Sequence, residues 1–343
     1  MTYTLVATVK NEAPFLLELV AYHKMIGFDN ILIYQNDSDD YTDETLKIMR
    51  GLGIVKYFYN RADAGKHQVR AYKRASRQPE FRDARWTMAL DLDEFLYIKT
   101  GNGRLSDLFR ALPDSDVALI NWRRFGNDGR VNIGKKLVTE QFLAAEPEAR
   151  IESFFTPYKA IFRPNLFARC GIHQPADALV PEERIVTANG SGLLEGEFER
   201  QRFRAKDPDR RALAQVNHYI VRDAASFVLK SHRGSAHQSN REINQSYWEK
   251  RNFNDEKDSG LSRQSPAIMA AMANLDAMSG GALGDLRHKA LRLHRQRFLD
   301  LIKEPDYKEL YEYCRAGEEP AKTEAAENDT VDQEVAQQRS NAA

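Results

Sequence analysis

The segment Asp91-Leu92-Asp93-Glu94-Phe95 sets three carboxylates in four positions directly after the apolar run Trp86-Thr87-Met88-Ala89-Leu90. Acids placed against a buried strand need a counter-charge. If the chain stays extended, alternation turns Asp91 and Asp93 to one side and Leu92 to the other, so that two carboxylates converge. Like charges held that close are costly unless a proton or a cation lies between them, and oxygen donors favour Mg²⁺ or Mn²⁺. A solvated turn is the plainer alternative. A second polar segment, Gln35-Asn36-Asp37-Ser38-Asp39-Asp40-Tyr41-Thr42-Asp43, follows the run Ile31 to Tyr34. Its amides and carboxylates suit the hydroxyls and base edge of a nucleoside, and equally suit turns that bond their own backbone. A third, Thr8-Val9-Lys10-Asn11-Glu12, closes the first apolar run, where Asn11 is as well suited to capping a helix as to holding a ligand.

Five strand-length apolar runs carry these segments: Leu5 to Val9, Ile31 to Tyr34, Ile54 to Tyr59, Trp86 to Leu90 and Val117 to Trp122. Between the first two, Phe15, Leu19, Tyr22 and Ile26 fall at steps of four, three and four and line one helix face, with Pro14 in its first turn and Gly27 at its stop. A second helix is predicted from Thr42 as N-cap to Gly51 or Gly53, and a third over residues 63–77. Alternating strands and helices predict right-handed crossovers and an open, mainly parallel sheet flanked by helices, an α/β fold whose ligands lie beyond the C-terminal strand ends. Residues 123–235 mix short β-like pieces, Tyr158 to Phe162 and Gln215 to Val221 among them, with polar loops suited to an acceptor pocket. Helical spacing returns over 285–313. The last 28 residues carry seven acids against two bases and almost no large apolar side chain, the composition of a disordered acidic tail.

The 343 residues include 50 Lys plus Arg and 50 Asp plus Glu, a balance that excludes a generally basic nucleic-acid binder. The tail distorts that sum: without it, residues 1–315 carry 48 bases and 43 acids. A mildly basic body suits a diphosphate ligand and peripheral contact with an anionic membrane surface. Cys170 and Cys314 lie far apart and fit no disulfide or zinc spacing. His232 and His237 flank Arg233-Gly234 without the spacing of a zinc-binding helix, and no GxSxG or P-loop occurs. The N-terminus has no signal-peptide pattern and no window nears the roughly 18 apolar residues of a span. The expected location is therefore cytoplasmic, with room for peripheral contact at the inner face of the membrane.

Taken in order, the three polar segments resemble family-2-type glycosyltransferases with the GT-A fold. Further segments extend the resemblance to a subgroup related to the family-92 glycosyltransferases: Asn121-Trp122-Arg123-Arg124-Phe125-Gly126, Lys159-Ala160-Ile161-Phe162-Arg163-Pro164, His173, Asn217-His218-Tyr219, and Phe227-Val228-Leu229-Lys230-Ser231-His232-Arg233-Gly234. It covers residues 3–260. The resemblance implies a GT-A-like domain over 1–260, leaving a C-terminal helical extension over 261–315 and the acidic tail over 316–343. It implies a nucleotide-sugar donor, in most such enzymes a UDP-sugar, and Mn²⁺ or Mg²⁺ between its diphosphate and the acidic motif. Asp91 and Asp93 would face the donor ribose and the metal, Asp93 more often as the direct ligand, with His218 completing the metal site. A histidine satisfied at a strand edge is the alternative for His218. By position in the motif, Thr8, Asn11, Glu12 and Asp37 would hold the nucleoside, while Lys66, Arg70 and Lys230 are basic candidates for the diphosphate.

Such transfer inverts the anomeric centre and needs a base for the proton of the acceptor hydroxyl, a glycan or lipid-linked one. The Glu-Asp pair and Gln-x-x-Arg-Trp segment of better-known relatives are missing here. The base candidates are His173, Asp128, Asp255 and Asp258, with His173 favoured because its segment falls between the acidic motif and His218. Trp122 and Phe125 are suited to stacking on a sugar face or to core packing. Two other readings stand beside this one: a phosphohydrolase in which Asp91 attacks phosphorus and Asp93 serves as acid and base, and a catalytically silent module that binds nucleotide-sugar or glycan.

Overall fold

The computed structural model describes residues 2–61, 67–148, 157–195, 198, 210–234 and 242–316. The acidic tail beyond Ala316 and the start of the predicted third helix lie outside the described residues. The strands are β1 (Tyr3–Val9), β2 (Asn30–Gln35), β3 (Lys56–Tyr59), β4 (Trp86–Leu90), β5 (Glu94–Ile98), β6 (Val117–Arg124), β7 (Ala144–Ala145), β8 (Tyr158–Phe162), β9 (Phe167–Arg169), β10 (Ala176–Ala178), β11 (Thr187–Asn189), β12 (Ala214–His218) and β13 (Glu256–Lys257). The helices are α1 (Ala13–Ile26), α2 (Thr42–Gly51), α3 (His67–Ala75), α4 (Pro79–Arg82), α5 (Leu105–Ala111), α6 (Val138–Gln141), α7 (Ala224–Arg233), α8 (Gln245–Glu249), α9 (Ser265–Met278), α10 (Ala282–Leu301) and α11 (Pro305–Arg315).

A nine-stranded sheet runs in the order β3-β2-β1-β4-β8-β6-β12-β5, with β11 also on β6. The stretch from β3 to β4 is parallel, as strand-helix alternation in the first third requires. Beyond it the sheet is mixed: β8 is antiparallel to both its neighbours and β5 is antiparallel to β12, while β12 and β11 lie parallel to β6. Helices flank this mixed α/β sheet. The first strand is buried at every position, as expected of one covered on both faces.

The first helix begins and stops where the sequence signals put it, with Pro14 in its first turn and Gly27 in the left-handed region at φ 117°. It buries more than one stripe. Leu16, Leu17, Leu19, Val20 and Tyr22 are all fully or almost fully enclosed, because α9 and α10 cover the side of α1 turned away from the sheet. Sequence spacing gave no sign of α9, an Ala- and Met-rich helix with no regular polar stripe. At α2 the expected cap shifts by one: Tyr41, at φ 73°, is the N-cap, and Thr42 opens the helix with its hydroxyl on Asp40 Oδ1 at 2.6 Å. The core continues from the sheet into the C-terminal helices, where Ile268 and Leu283 join the cluster around β1 and α1, and Leu291 and Phe298 pack with Phe227 of α7. No helix among the described residues is long and apolar enough to cross a membrane.

Gly126, just after β6, shows where a backbone must pass closely. A Cβ there would collide with the Phe253 carbonyl, a fixed backbone group. Gly126→Ala is expected to cost about 1–3 kcal/mol, measured as a lowered urea midpoint at unchanged slope.

Candidate functional site

The acidic motif does not continue β4. Its backbone turns, with Glu94 N–H donating to Asp91 C=O at 3.1 Å, and β5 starts at Glu94. The extended alternation expected for Asp91 and Asp93 is therefore lost, and each carboxylate meets its own lysine. Asp91 accepts from Gln68 Nε2 at 2.6 Å and from Lys159 Nζ at 3.0 Å. Lys159 is wholly enclosed, also reaches Glu94 at 3.2 Å, and donates to the Ile172 carbonyl.

Asp93 has different company. Strand pairing sets His218 opposite Glu94, and Tyr219 N–H donates to the Asp93 carbonyl at 2.8 Å, which brings the His218 ring beside Asp93. His218 Nε2 lies 3.5 Å from Asp93 Oδ1, and Lys230 Nζ of α7 lies 3.0 Å from Oδ2. Burial raises the Asp93 carboxyl pKa, but Lys230, His218 and Arg222 together hold it well below the usual carboxylate range. The other His218 nitrogen, Nδ1, is buried without a hydrogen-bond partner, 3.9 Å from a Glu94 oxygen in the same state. A metal-bound histidine commonly donates from its second nitrogen to a carboxylate, and here the two atoms face each other at 3.9 Å, beyond a hydrogen bond. Asp93 Oδ1 and His218 Nε2, 3.5 Å apart, are an oxygen and a nitrogen that fit two positions around a divalent cation. Among the described residues no group of three or more His, Cys, Asp or Glu could hold a metal alone.

Asp93 and Lys230 line a cavity of about 520 Å³, and with them Asn11, Glu12 and Asp37, the residues expected to hold a nucleoside. Asn11 and Asp37 have positive φ, 53° and 46°, and the Asn11 side-chain oxygen accepts from Asp39 N–H at 2.9 Å. Asn11 therefore ties two loops together and does not cap α1. Glu12 is buried between Arg222 Nη1 at 2.8 Å and Arg233 Nη1 at 2.5 Å. Burial raises its pKa, and the two guanidinium groups outweigh that and lower it. Thr8 is buried in β1 and does not line the cavity, Arg70 is exposed on α3, and Lys66 lies outside the described residues.

Of the base candidates, only His173 lies close to the acidic cluster. Its ring is 5.5 Å from that of Trp122, which in turn sits edge-on to His218 at 4.4 Å. His173 Nδ1 is 3.1 Å from the Tyr158 carbonyl, and burial lowers its pKa to about 4. Trp122 is accordingly a wall between two histidines. Asp128 pairs with Lys257 and accepts from Leu143 N–H, while Asp258 holds Arg123, Gln215 and the Gly260 amide. Asp255 is exposed and bonds through its backbone to β7. These three acids tie residues 254–260 to β6, β7 and β12; none of the four base candidates, His173 included, lines the cavity.

Sequence reading missed the far wall. Arg222, Arg233, His294 and Arg297 come from α7, the turn before it, and α10. His294 Nε2 meets the buried Asp40 carboxylate at 2.7 Å, and Arg297 grips Asp39 through its side chain and carbonyl. No local signal marks them, since each acts on a loop more than 200 residues away. His294→Ala is expected to cost about 1–3 kcal/mol by leaving Asp40 short of a partner, whereas Arg297→Ala, which breaks a pair with the exposed Asp39, costs under about 1 kcal/mol; parallel urea titrations separate the two.

A family model described as glycosyltransferase family 92 matches residues 6–195. A family-92 glycosyltransferase protein of Oryza sativa subsp. japonica is 30% identical over 167 residues, covering 46% of this chain and 26% of that protein. The chain thus spans about a quarter of that relative's length. Among solved structures, residues 1–349 of S. aureus TarS are 13% identical over 88% of this chain and 91% of theirs, with a TM-score of 0.34. Glucosyl-3-phosphoglycerate synthase from Mycobacterium tuberculosis, solved with Mn²⁺, UDP and glucosyl-3-phosphoglycerate, is 13% identical over 36% and 44% of the two chains, with a TM-score of 0.23.

Proposed function

The chain belongs to glycosyltransferase family 92, and from that premise we propose that it moves a sugar from a nucleotide-sugar, a UDP-sugar by preference, to a glycan or lipid-linked hydroxyl with inversion. The observation that carries this reading is Asp93, set between His218 and Lys230 on the wall of a cavity that also holds Asn11 and Asp37. Asn11 and Asp37, at the C-terminal ends of parallel strands, hold the nucleoside, and Lys230 lies where an ammonium meets a diphosphate oxygen. A divalent cation, Mn²⁺ or Mg²⁺, held by Asp93 and His218 would offset the charge that grows on the departing diphosphate.

His173 is the base in this proposal. With Nδ1–H given to the Tyr158 carbonyl, Nε2 carries the lone pair, and the low pKa keeps the ring neutral at pH 7. Such a nitrogen takes the proton of an acceptor hydroxyl as that oxygen attacks the anomeric carbon. Residues 1–260 are read as the transferase domain, and 261–315 as an extension whose α10 closes the donor cavity. A lipid-linked acceptor would place the work at the cytoplasmic face of a membrane. The phosphohydrolase reading is weaker because Asp91, its nucleophile, is engaged by Lys159 and Gln68.

Calorimetric titration of UDP tests the reading. Binding is expected to tighten with Mn²⁺ and weaken with a chelator. Unchanged affinity after metal removal refutes the metal site, and release of phosphate from simple phosphoesters favours the hydrolase instead. A His173→Ala variant that keeps the full transfer rate removes His173 as the base.

A further inference from the structure

We infer that Arg222 is an oxyanion-binding residue of the cavity, taking two oxygens of a substrate phosphate or carboxylate beside Asp93; the identity of that anion rests on the glycosyl-transfer reading. Arg222 lines the cavity yet is only 8% exposed. One nitrogen, Nη1, donates to Glu12, while Nε and Nη2 are buried with no hydrogen-bond partner. Buried donors in that state are rare and ask for an explanation. The backbone of Arg222 is also in the left-handed region, at φ 54°, a conformation costly for a branched-free but bulky side chain and concentrated at ligand sites.

Neutralising Glu12 does not explain the residue. Arg233 already donates to the other Glu12 oxygen, so one carboxylate carries two guanidinium groups. Asp93 and Lys230 balance each other next to them. The group of five therefore holds a surplus positive charge in an enclosed place, which an anion would offset. The guanidinium rests on the Phe15 ring, 3.7 Å from its centroid, and in that pose the two partnerless donors are shielded from the open cavity. Turning Nη2 outward moves the whole planar guanidinium and gives up the Nη1 bond to Glu12, whose charge Arg233 still offsets. A planar fork of two N–H groups matches the oxygens of a phosphate or a carboxylate. The diphosphate of a nucleotide-sugar and an acidic group on the acceptor are the two sources of such oxygens. Arg222 is one of the charges that lower the Asp93 carboxyl, which places the bound anion in the field of the acidic motif.

The test titrates UDP, pyrophosphate, glucuronate and uridine into the full chain, wild type and Arg222→Gln, with a thermal melt to confirm folding. Arg222→Gln is expected to weaken UDP and pyrophosphate roughly tenfold or more and leave uridine unchanged, with Arg222→Lys between the two. A loss confined to glucuronate also supports the inference and assigns the anion to the acceptor. Equal affinities for all four ligands in wild type and Arg222→Gln overturn it. A wild type that binds pyrophosphate or glucuronate but neither UDP nor uridine refutes the glycosyl-transfer reading, and the comparison with Arg222→Gln still decides the inference. If Arg222→Gln does not fold, the Nε–H resonance of Arg222 in the wild type is followed by NMR during the same titrations. A shift with either anion supports the inference, and no shift with any overturns it.

Discussion

Asp93→Asn is expected to lower glycosyl transfer by roughly 10²–10³-fold while the fold survives. The amide is isosteric and can still accept from Lys230 through its oxygen, so the packing around the turn changes little. What disappears is the charge. Asp93 is held ionised by Lys230 and His218 despite its burial, and a neutral amide removes both the anion that would hold a cation and the partner that balances Lys230. Donor affinity should then no longer respond to Mn²⁺. The measurement is a transfer assay over a panel of UDP-sugars, alongside UDP calorimetry with and without metal. A full transfer rate in the variant would contradict the role given to Asp93.

Lys159→Met should cost about 3–5 kcal/mol of stability, more than any other single change considered. The ammonium is wholly enclosed and lies 3.0 Å from Asp91 and 3.2 Å from Glu94, itself fully buried. Removing it leaves the buried Glu94 carboxylate without its ammonium, while the part-exposed Asp91 keeps Gln68. Burial already pushes the Glu94 carboxyl up to about 7 against the downward pull of Lys159, so in the variant Glu94 rises further and takes up a proton at neutral pH. The sign follows from linkage: a carboxyl with a raised folded pKa binds protons more tightly when folded. The variant therefore regains stability as pH falls from neutral toward the unfolded value of 4.5. Urea titrations at a series of pH values check this, and a variant whose midpoint falls steadily below pH 7 would refute it. Asp93 works in the opposite direction, since its depressed pKa gives stability that is lost only as pH falls below the usual carboxylate value of 3.8.

Much of the scaffold was legible because its signals are local. The five apolar runs became β1 to β4 and β6, and Pro14 and Gly27 bound α1 because φ preferences act within a residue or two. The acidic motif was legible as chemistry but not as geometry. Alternation predicted convergence of Asp91 and Asp93, and the turn closed by Glu94 N–H sent them to Lys159 and Lys230 instead. The same limit applies to the base candidates. Asp128 and Asp258 are acids in plausible loops, yet each is held in ion pairs that fasten residues 254–260 to the sheet.

The sequence by itself determined the element types of the first third up to β4, the parallel half of the sheet and the strand ends that carry Asn11, Asp37 and the acidic motif, since periodicity and turn chemistry act over a few residues. Only the tertiary structure decided which charges meet. His218 reaches Asp93 because β12 pairs with both β5 and β6, and Arg222, Arg233 and His294 reach the loops after β1 and β2 because α10 packs on α1 and α2 and α7 packs on α10. An ion pair forms where Coulomb energy and burial are favourable in space, whatever the separation along the chain, so no spacing rule announces it.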